Sequence, residues 1–412
     1  MRESPLRRLG RNVIGLGAVS FFTDVSTEMI YPLLPVFLAG VLGTSSTFIG
    51  AIEGAAETTA SILKLLSGWW SDRMRSRKPF VVVGYLIASI VRPFTGAARS
   101  ASQVLAIRLT DRIGKGLRTS PRDALLADSA PADARGLAYG FHAAADNAGA
   151  VLGPLLAFLI LKLYGVGMLD TSKRLSAHDE HAIRNVFWLS AIPAAIAMLI
   201  LIFVVQDVPK RDDRGDTSAT SLETERLTGK FWAYLTVVLL FTLGNSTDAF
   251  LLLRANQLGV PVALTPILWA VLNFVKAATG TYGGQLSDRV GRKPLIVGGW
   301  LLYAAVYFAF AWAKVPWQAW ALFAIYGIFY GMTEGTEKAL VADVVPRARR
   351  GAAFGWYNLA IGLGALPASL IFGWIWDAYG APSAFVFGAS LALFAAVLMA
   401  IVAPSRPIAT AS

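Results

Sequence analysis

RLTDRIGKGLRTSPRDALLAD, residues 108–128, sets Arg108, Asp111, Arg112, Lys115, Arg118, Arg122 and Asp123 between apolar runs. At about 3.6 residues per turn, positions 108, 111/112, 115, 118/119 and 122 share one helix face, while Leu109, Ile113, Leu117, Ala124 and Leu125 mostly cover the others. An ionised side chain at the centre of a bilayer costs at least about 2.5 kcal/mol, so this face has to line a polar cavity or pair internally. That cavity is the expected functional site.

The surrounding chain explains why lipid is the relevant solvent. Of 412 residues, 55% are hydrophobic and only 15% charged, with a mean hydropathy of +0.56. The apolar residues arrive in runs of roughly 20, enough to cross about 30 Å of hydrocarbon as helix. A membrane barrel would instead show short alternating segments. Cysteine is absent, which excludes disulfides and thiolate metal sites. The net charge of +11 flanks the apolar runs, so it reads as membrane orientation, and no nucleic-acid partner is expected. MRESPLRRLGR followed by a long apolar run without a small-residue cleavage site reads as a retained first helix.

Helices are expected near 12–40, 46–71, 79–98, 102–127, 136–163 and 184–205, then near 231–254, 262–286, 294–313, 318–342, 351–376 and 382–403. The implied fold class is an all-α membrane protein, twelve transmembrane helices in two pseudo-symmetric six-helix bundles, 1–206 and 231–412, joined by a polar cytoplasmic linker, 207–230. Lys and Arg fall on alternate short loops: Arg2, Arg7, Arg8 and Arg11, then Arg73, Arg75, Arg77 and Lys78, then Arg289, Arg292 and Lys293, then Arg347, Arg349 and Arg350. Both termini are therefore expected in the cytoplasm of a cell with the protein in its inner membrane. Lys173 and Arg174, in the 164–183 loop, are the exception, offset by Asp170, Asp179 and Glu180.

The two halves repeat one another. SDRMRSRKP at 71–79 returns as SDRVGRKP at 287–294, and ADSAPADARGLAYG at 127–140 returns as ADVVPRARRGAAFG at 342–355, with Asp128 and Asp343 offset by 215. Ser26, Thr27 and Glu28 face Ser246, Thr247 and Asp248 in the same comparison. A parallel repeat of six-helix units places a substrate near the midplane between halves that rock.

On these motifs the chain resembles the major facilitator superfamily over essentially its whole length, in its proton-coupled exporter branch. Gly68, Asp72, Arg73, Arg77 and Lys78 resemble the family's GxxxD(R/K)xxxR(R/K) loop, echoed in shortened form by Gly284, Asp288, Arg289, Arg292 and Lys293. The resemblance implies that Asp72 and Arg73 latch the halves on the cytoplasmic side. Arg112, Lys115 and Gly116 resemble RxxQG, an arginine the family associates with proton transfer, with Lys115 in place of glutamine. That added cation could pair with Asp111 or bind an anionic substrate. Gly140, Gly149, Gly153 and Pro154 carry the spacing of the exporter motif GxxxxxxxxGxxxGP, although Ala157 and Phe158 replace its terminal glycines. Small residues allow close helix approach and Pro154 allows a bend, so the motif can seal one entrance.

Asp24 and Glu28 lie one turn apart, as do Glu53 and Glu57, and paired carboxylates in a low dielectric can share and release a proton. Asp24, Glu28, Glu57, Asp111 and Arg112 are thus the proton-coupling candidates. The alternative is permanent pairing with Arg108, Arg112 or Lys64. Candidates for the substrate cavity are Arg108, Lys115, Asp146, Asn147, Asn245, Asp248, Asn273, Lys276, Glu334, Tyr357 and Asn358. His142 and Asp146 form an i, i+4 pair that would suit a relay or plain packing. Glu337 and Lys338 occupy the positions of Arg122 and Asp123, which suggests either ion pairs across the halves or pairs within each. Two histidines in HisAspGluHis, 178–181, lack a fixed third ligand, so no metal is expected. No cofactor is expected either, because no phosphate-loop, HExxH or GxSxG spacing occurs. Trp69, Trp70, Trp300, Trp317 and Trp374 read as interface and packing residues.

The expectation is a monomeric, proton-coupled exporter of small organic molecules working by alternating access, not an enzyme. Import of an organic anion or sugar-like solute by proton symport stays open, as does a non-transporting sensor on the same scaffold.

Overall fold

A computed structural model describes residues 9–71, 73, 76–130, 135–166, 175–208, 229–345 and 350–402. Helices and short turns make up all of the regular structure among the described residues. In chain order they are α1 Arg11–Ile30, α2 Ser46–Ser71, α3 Lys78–Val91, α4 Ala101–Ser129, α5 Arg135–Leu163, α6 Ala177–Leu189 and α7 Ala191–Phe203. There follow α8 Gly229–Gly244, α9 Ala249–Gln257, α10 Thr265–Val290, α11 Arg292–Trp312, α12 Pro316–Val344, α13 Arg350–Tyr379 and α14 Ala381–Val402.

Nine stretches among the described residues are long and apolar enough to cross a membrane. α2, α4 and α12 are long enough, at 26, 29 and 29 residues, but too polar to qualify. These are the helices that carry Glu53, Glu57 and Lys64, the Arg108–Asp123 stripe, and Glu334, Glu337 and Lys338. Polarity inside a span is tolerated where neighbouring helices shelter it.

Local chemistry sets the helix ends. Pro32 and Pro35 remove backbone donors just past α1, and the chain continues there as a 3-10 turn, Tyr31–Leu33, and a π turn, Phe37–Val41. The polar loop expected up to residue 183 is shorter than that, because Ser176 and Asp179 cap each other's backbone N–H groups and start α6 at Ala177. His178, Asp179, Glu180 and His181 therefore lie in a helical first turn, not in a loop. The single helix expected over 231–254 is also interrupted, with Asn245–Asp248 unwound between α8 and α9 after Gly244.

The chain divides into two units. Unit 1 comprises Met1–Thr44, Ala55–Arg211 and Gly259–Ala270, and unit 2 comprises Ser45–Gly54, Asp212–Leu258 and Val271–Ser412. Shifted by the repeat offset of 215, 45–54 becomes 260–269, so the two repeats exchange corresponding segments. The core of unit 1 gathers Val13, Leu16, Val81, Tyr85, Leu125 and Leu201. Unit 2 packs aromatic rings instead, with Phe241 stacked on Trp300 at 4.2 Å and Tyr303 on Tyr307 at 4.1 Å between centroids.

The repeat is visible in the contacts as well as in the letters. Arg77 pairs with Asp128 in unit 1, and Arg292 pairs with Asp343 in unit 2, each residue offset by 215 from its counterpart. Gly165 and Gly380, also 215 apart, follow α5 and α13 with φ of +71° and +86°, a conformation that favours glycine.

Candidate functional site

In unit 1 the charged face of α4 turns inward. Arg108, Asp111, Arg112 and Arg118 are all buried, none more than 8% exposed. Asp111 does not pair with Lys115. Its Oδ1 accepts from Arg92 Nε at 3.2 Å and Nη2 at 2.8 Å, and Arg108 Nη1 lies 3.9 Å from Oδ2. Arg92 also donates to the Thr23 carbonyl at 3.3 Å and to Ser26 Oγ at 3.1 Å, which ties the end of α3 to α1 and α4. Two charges this deep are held because each is paired with the other and hydrogen-bonded. Further along, Arg118 lies over the Tyr85 ring at 4.2 Å, and Arg122 binds Asp123 Oδ1 through Nε at 3.0 Å and Nη2 at 2.8 Å.

Lys115 is half-buried and faces Glu57 on α2 and Asp24 and Glu28 on α1, with Arg112 beside it. These three carboxylates are half-buried too, so the proton-coupling candidates meet in one region of unit 1. Glu28 accepts a 2.6 Å hydrogen bond from the indole Nε1 of Trp269, whose ring also lies 4.9 Å from that of Tyr31. Asp146 on α5 sits 3.5 Å from His142 Nδ1 and faces Asp24, with Asn147 half-buried beside it.

Unit 2 assembles its polar residues differently. Asp248, in the unwound Asn245–Asp248 segment, accepts from Tyr326 at 2.8 Å and Tyr330 at 3.1 Å. Lys276 pairs with Glu334 at 2.9 Å and lies over the Tyr330 ring at 4.7 Å, while Lys338 reaches the same Glu334 at 3.3 Å. Glu337 is buried and accepts from Trp300 Nε1 at 2.8 Å and Tyr357 OH at 2.7 Å. Tyr357, expected to line the cavity, is thus a core residue of unit 2, only 3% exposed. Asn245 and Asn273 are half-buried, and the exposed Asn358 donates to the Phe354 carbonyl in its own helix at 2.8 Å. Within its own unit Arg122 pairs with Asp123, Lys338 with Glu334, and Glu337 accepts from neutral donors. No group of three or more metal-ligating side chains occurs among the described residues.

A family model described as Major Facilitator Superfamily matches residues 16–336 and 250–411. The chain belongs to that superfamily. It is 32% identical over 399 residues to an uncharacterised MFS-type transporter of Methanocaldococcus jannaschii, 95% of each chain being covered. It is 21% identical over 361 residues to a multi-drug resistance efflux pump PmrA homologue of Lactococcus lactis, covering 85% of this chain and 84% of that one. Among solved structures, a bacterial homologue of the human lysosomal transporter Spinster, in an inward-facing, unoccupied conformation, superposes with a TM-score of 0.72 at 20% identity, covering 95% and 94% of the two chains. The protein is accordingly a multi-pass membrane transporter with a small-molecule substrate, and not an enzyme.

The superfamily motifs can now be placed. Gly68 packs on Ser120 of α4, Ser120 Oγ donates to the Lys64 carbonyl at 2.8 Å, and Ser67 Oγ donates to the Gly116 carbonyl at 2.8 Å. The first loop glycine thus fits α2 against α4. Asp72 lies outside the described residues. Arg73 lies over the Trp69 ring at 3.5 Å, and Arg77 binds Asp128 within its own unit. In the second loop Asp288 accepts from Arg292 at 2.5 Å, while Arg289 is exposed. Of the exporter-motif glycines, Gly149 and Gly153 make close contacts. A Cβ on Gly149 would stand 2.5 Å from the Phe21 carbonyl and 3.0 Å from Asp24 Cβ, and one on Gly153 would stand 2.6 Å from the Val25 carbonyl and 3.0 Å from Glu28 Cβ. Pro154 follows, buried inside α5, whereas a Cβ on Gly140 would meet nothing.

Arg92, Trp269, Tyr326, Tyr330 and Trp300 belong to these clusters and were not anticipated. Arg92 carried a readable signal, an arginine inside an otherwise apolar run, which calls for a partner.

Proposed function

We propose that this transporter exports small organic molecules in exchange for protons, with Asp24 and Glu28 as the proton-handling pair. The observation that carries the reading is the fit of α5 to α1: Gly149 and Gly153, the glycines of the exporter-type spacing, rest on the Phe21 and Val25 carbonyls and against the Cβ atoms of Asp24 and Glu28. Motion of α5 along α1 would change the water access of both carboxylates directly. Arg112 and Lys115 stand opposite and supply the compensating positive charge when a proton is lost, and Glu57 faces the same cations. Similarity to a chain named as a multi-drug efflux pump supports the outward direction.

In this reading the twelve helical segments span the inner membrane as two six-helix bundles, with both termini cytoplasmic and the protein monomeric. The polar interior opens to alternate sides. Protonation from outside releases the substrate, and loss of the proton inside resets the site. Asp111 stays paired with Arg92 and Arg108 throughout, holding α3 to α4.

Counterflow in proteoliposomes with a chemically diverse panel tests this. At least one compound is expected to exchange, with net flux following an imposed pH gradient, and Asp24→Asn and Glu28→Gln are expected to keep exchange but lose the response to pH. Accumulation in the opposite direction would establish import, and no flux with any compound would leave a sensor as the better reading.

A further inference from the structure

Two segments change units, and they are held in different ways. On one side 45–54 packs into unit 2 through backbone and small residues. A Cβ on Gly54 would stand 2.7 Å from Leu366 Cα, and the Asp377 carboxylate accepts from the N–H groups of Ser46 at 2.9 Å and Thr47 at 2.7 Å. Those bonds are helix capping, and Thr47 Oγ1 adds a third at 2.6 Å. On the other side 259–270 packs into unit 1, and the residue one repeat offset from Gly54 is Trp269. Position 162, the counterpart of Asp377, is Lys162, which cannot accept a hydrogen bond. The second segment therefore lacks the acid cap, and from it Trp269 donates a 2.6 Å bond to Glu28.

An indole N–H only donates, and it donates far more strongly to a carboxylate than to a neutral carboxyl. Trp269 is 6% exposed and wedged against Tyr31, so it has little freedom to follow Glu28 elsewhere. The charged groups that face Glu28 are Arg108, Arg112 and Lys115 from α4 and Asp24 from its own helix. On the flanking helices, α5 contributes Asp146, which faces Asp24, and α2 contributes Glu57, which faces the same cations. None of these replaces the indole as a directed donor to Glu28 in the observed geometry.

We propose that Trp269 is the positioning residue for Glu28, its indole N–H holding the ionised carboxylate in place so that proton uptake at Glu28 releases the exchanged segment 259–270. This rests on Glu28 being a proton carrier, as proposed above. Trp269 thereby links the proton to a segment contributed by the other repeat.

The first arm of the test needs neither a known substrate nor flux. The full chain, with 5-fluorotryptophan at its 12 tryptophan positions, is placed in lipid nanodiscs, and the Trp269 fluorine resonance is assigned by its loss in Trp269→Phe. The resonance is expected to move with pH across the titration of Glu28 in the wild type and to stay fixed in Glu28→Gln. A resonance that ignores pH in the wild type, or that still titrates in Glu28→Gln, overturns the proposal. In pH-driven transport, Trp269→Phe is expected to move the half-maximal point to higher pH by about one unit, since the ionised carboxylate has lost its donor, and Trp269→Gln, which keeps an N–H, to restore part of the shift. An unchanged profile in Trp269→Phe also overturns it. A titrating resonance in a protein whose flux ignores pH would instead refute proton coupling and leave the bond intact.

Discussion

Asp111 in unit 1 and Glu337 in unit 2 are both buried carboxylates, and they are satisfied by opposite means. Asp111 is clasped by the guanidinium of Arg92 with Arg108 nearby, whereas Glu337 accepts from an indole and a phenol. Asp248 follows the unit 2 pattern with two tyrosines. A guanidinium clasp fixes a charge, because losing either partner strands the other in a low dielectric. A phenol tolerates either protonation state, since its O–H can turn to accept as well as donate, whereas an indole N–H only donates. The repeats share a backbone plan but divide the electrostatics between them, and Glu28, held by Trp269 amid arginines, combines both patterns.

The largest test of this contrast is Asp111→Asn. It strands Arg92 and is expected to cost about 3–5 kcal/mol in equilibrium unfolding from mixed micelles. Replacing both partners, Arg92→Met with Asp111→Leu, is expected to recover most of that loss, because the buried charge disappears with its pair. If the double variant is no better than Asp111→Asn, the clasp is not what holds α3 to α4. Next in size, Glu337→Gln in unit 2 keeps an acceptor for Trp300 or Tyr357 and is expected to cost about 1 kcal/mol. A loss as large as that of Asp111→Asn would erase the distinction between the units. Smallest, Arg73→Ala removes an exposed cation over Trp69, worth about 0.5–1 kcal/mol, and its exposed hydrogen bond to the Trp69 carbonyl, and is expected to leave the melting temperature in detergent nearly unchanged.

Much of the architecture was written in the chain's periodicity and its repeat. The inward face of α4 follows from the spacing of Arg108, Asp111, Arg112 and Lys115, since no other orientation spares them from lipid. Asp128 and Asp343 aligned as letters, and each then took the arginine that aligned with the other's. Partner identity was harder to read. Hydropathy treats Trp269, Trp300, Tyr326 and Tyr330 as apolar mass, yet each spends its one polar atom on a carboxylate, a role set by three-dimensional proximity alone. Lys115 looked like a partner for Asp111 at i+4, but Arg92 reaches it from α3 with two donors. The start of α6 was legible: Ser176 three residues before Asp179 is a capping pattern that the surrounding charges obscured. The break at Asn245–Asp248 is marked by Gly244 and polar residues inside an apolar run, a signal that hydropathy windows average away.

Everted membrane vesicles energised by respiration, with an acidic interior reported by a quenched acridine dye, give the most direct measure of whether Asp24 and Glu28 exchange protons for substrate. Adding a transported compound from the panel is expected to relieve the quench with the wild type and with Glu337→Gln, and to have no effect with Asp24→Asn or Glu28→Gln. Relief of equal size in both Asp24→Asn and Glu28→Gln would contradict the account.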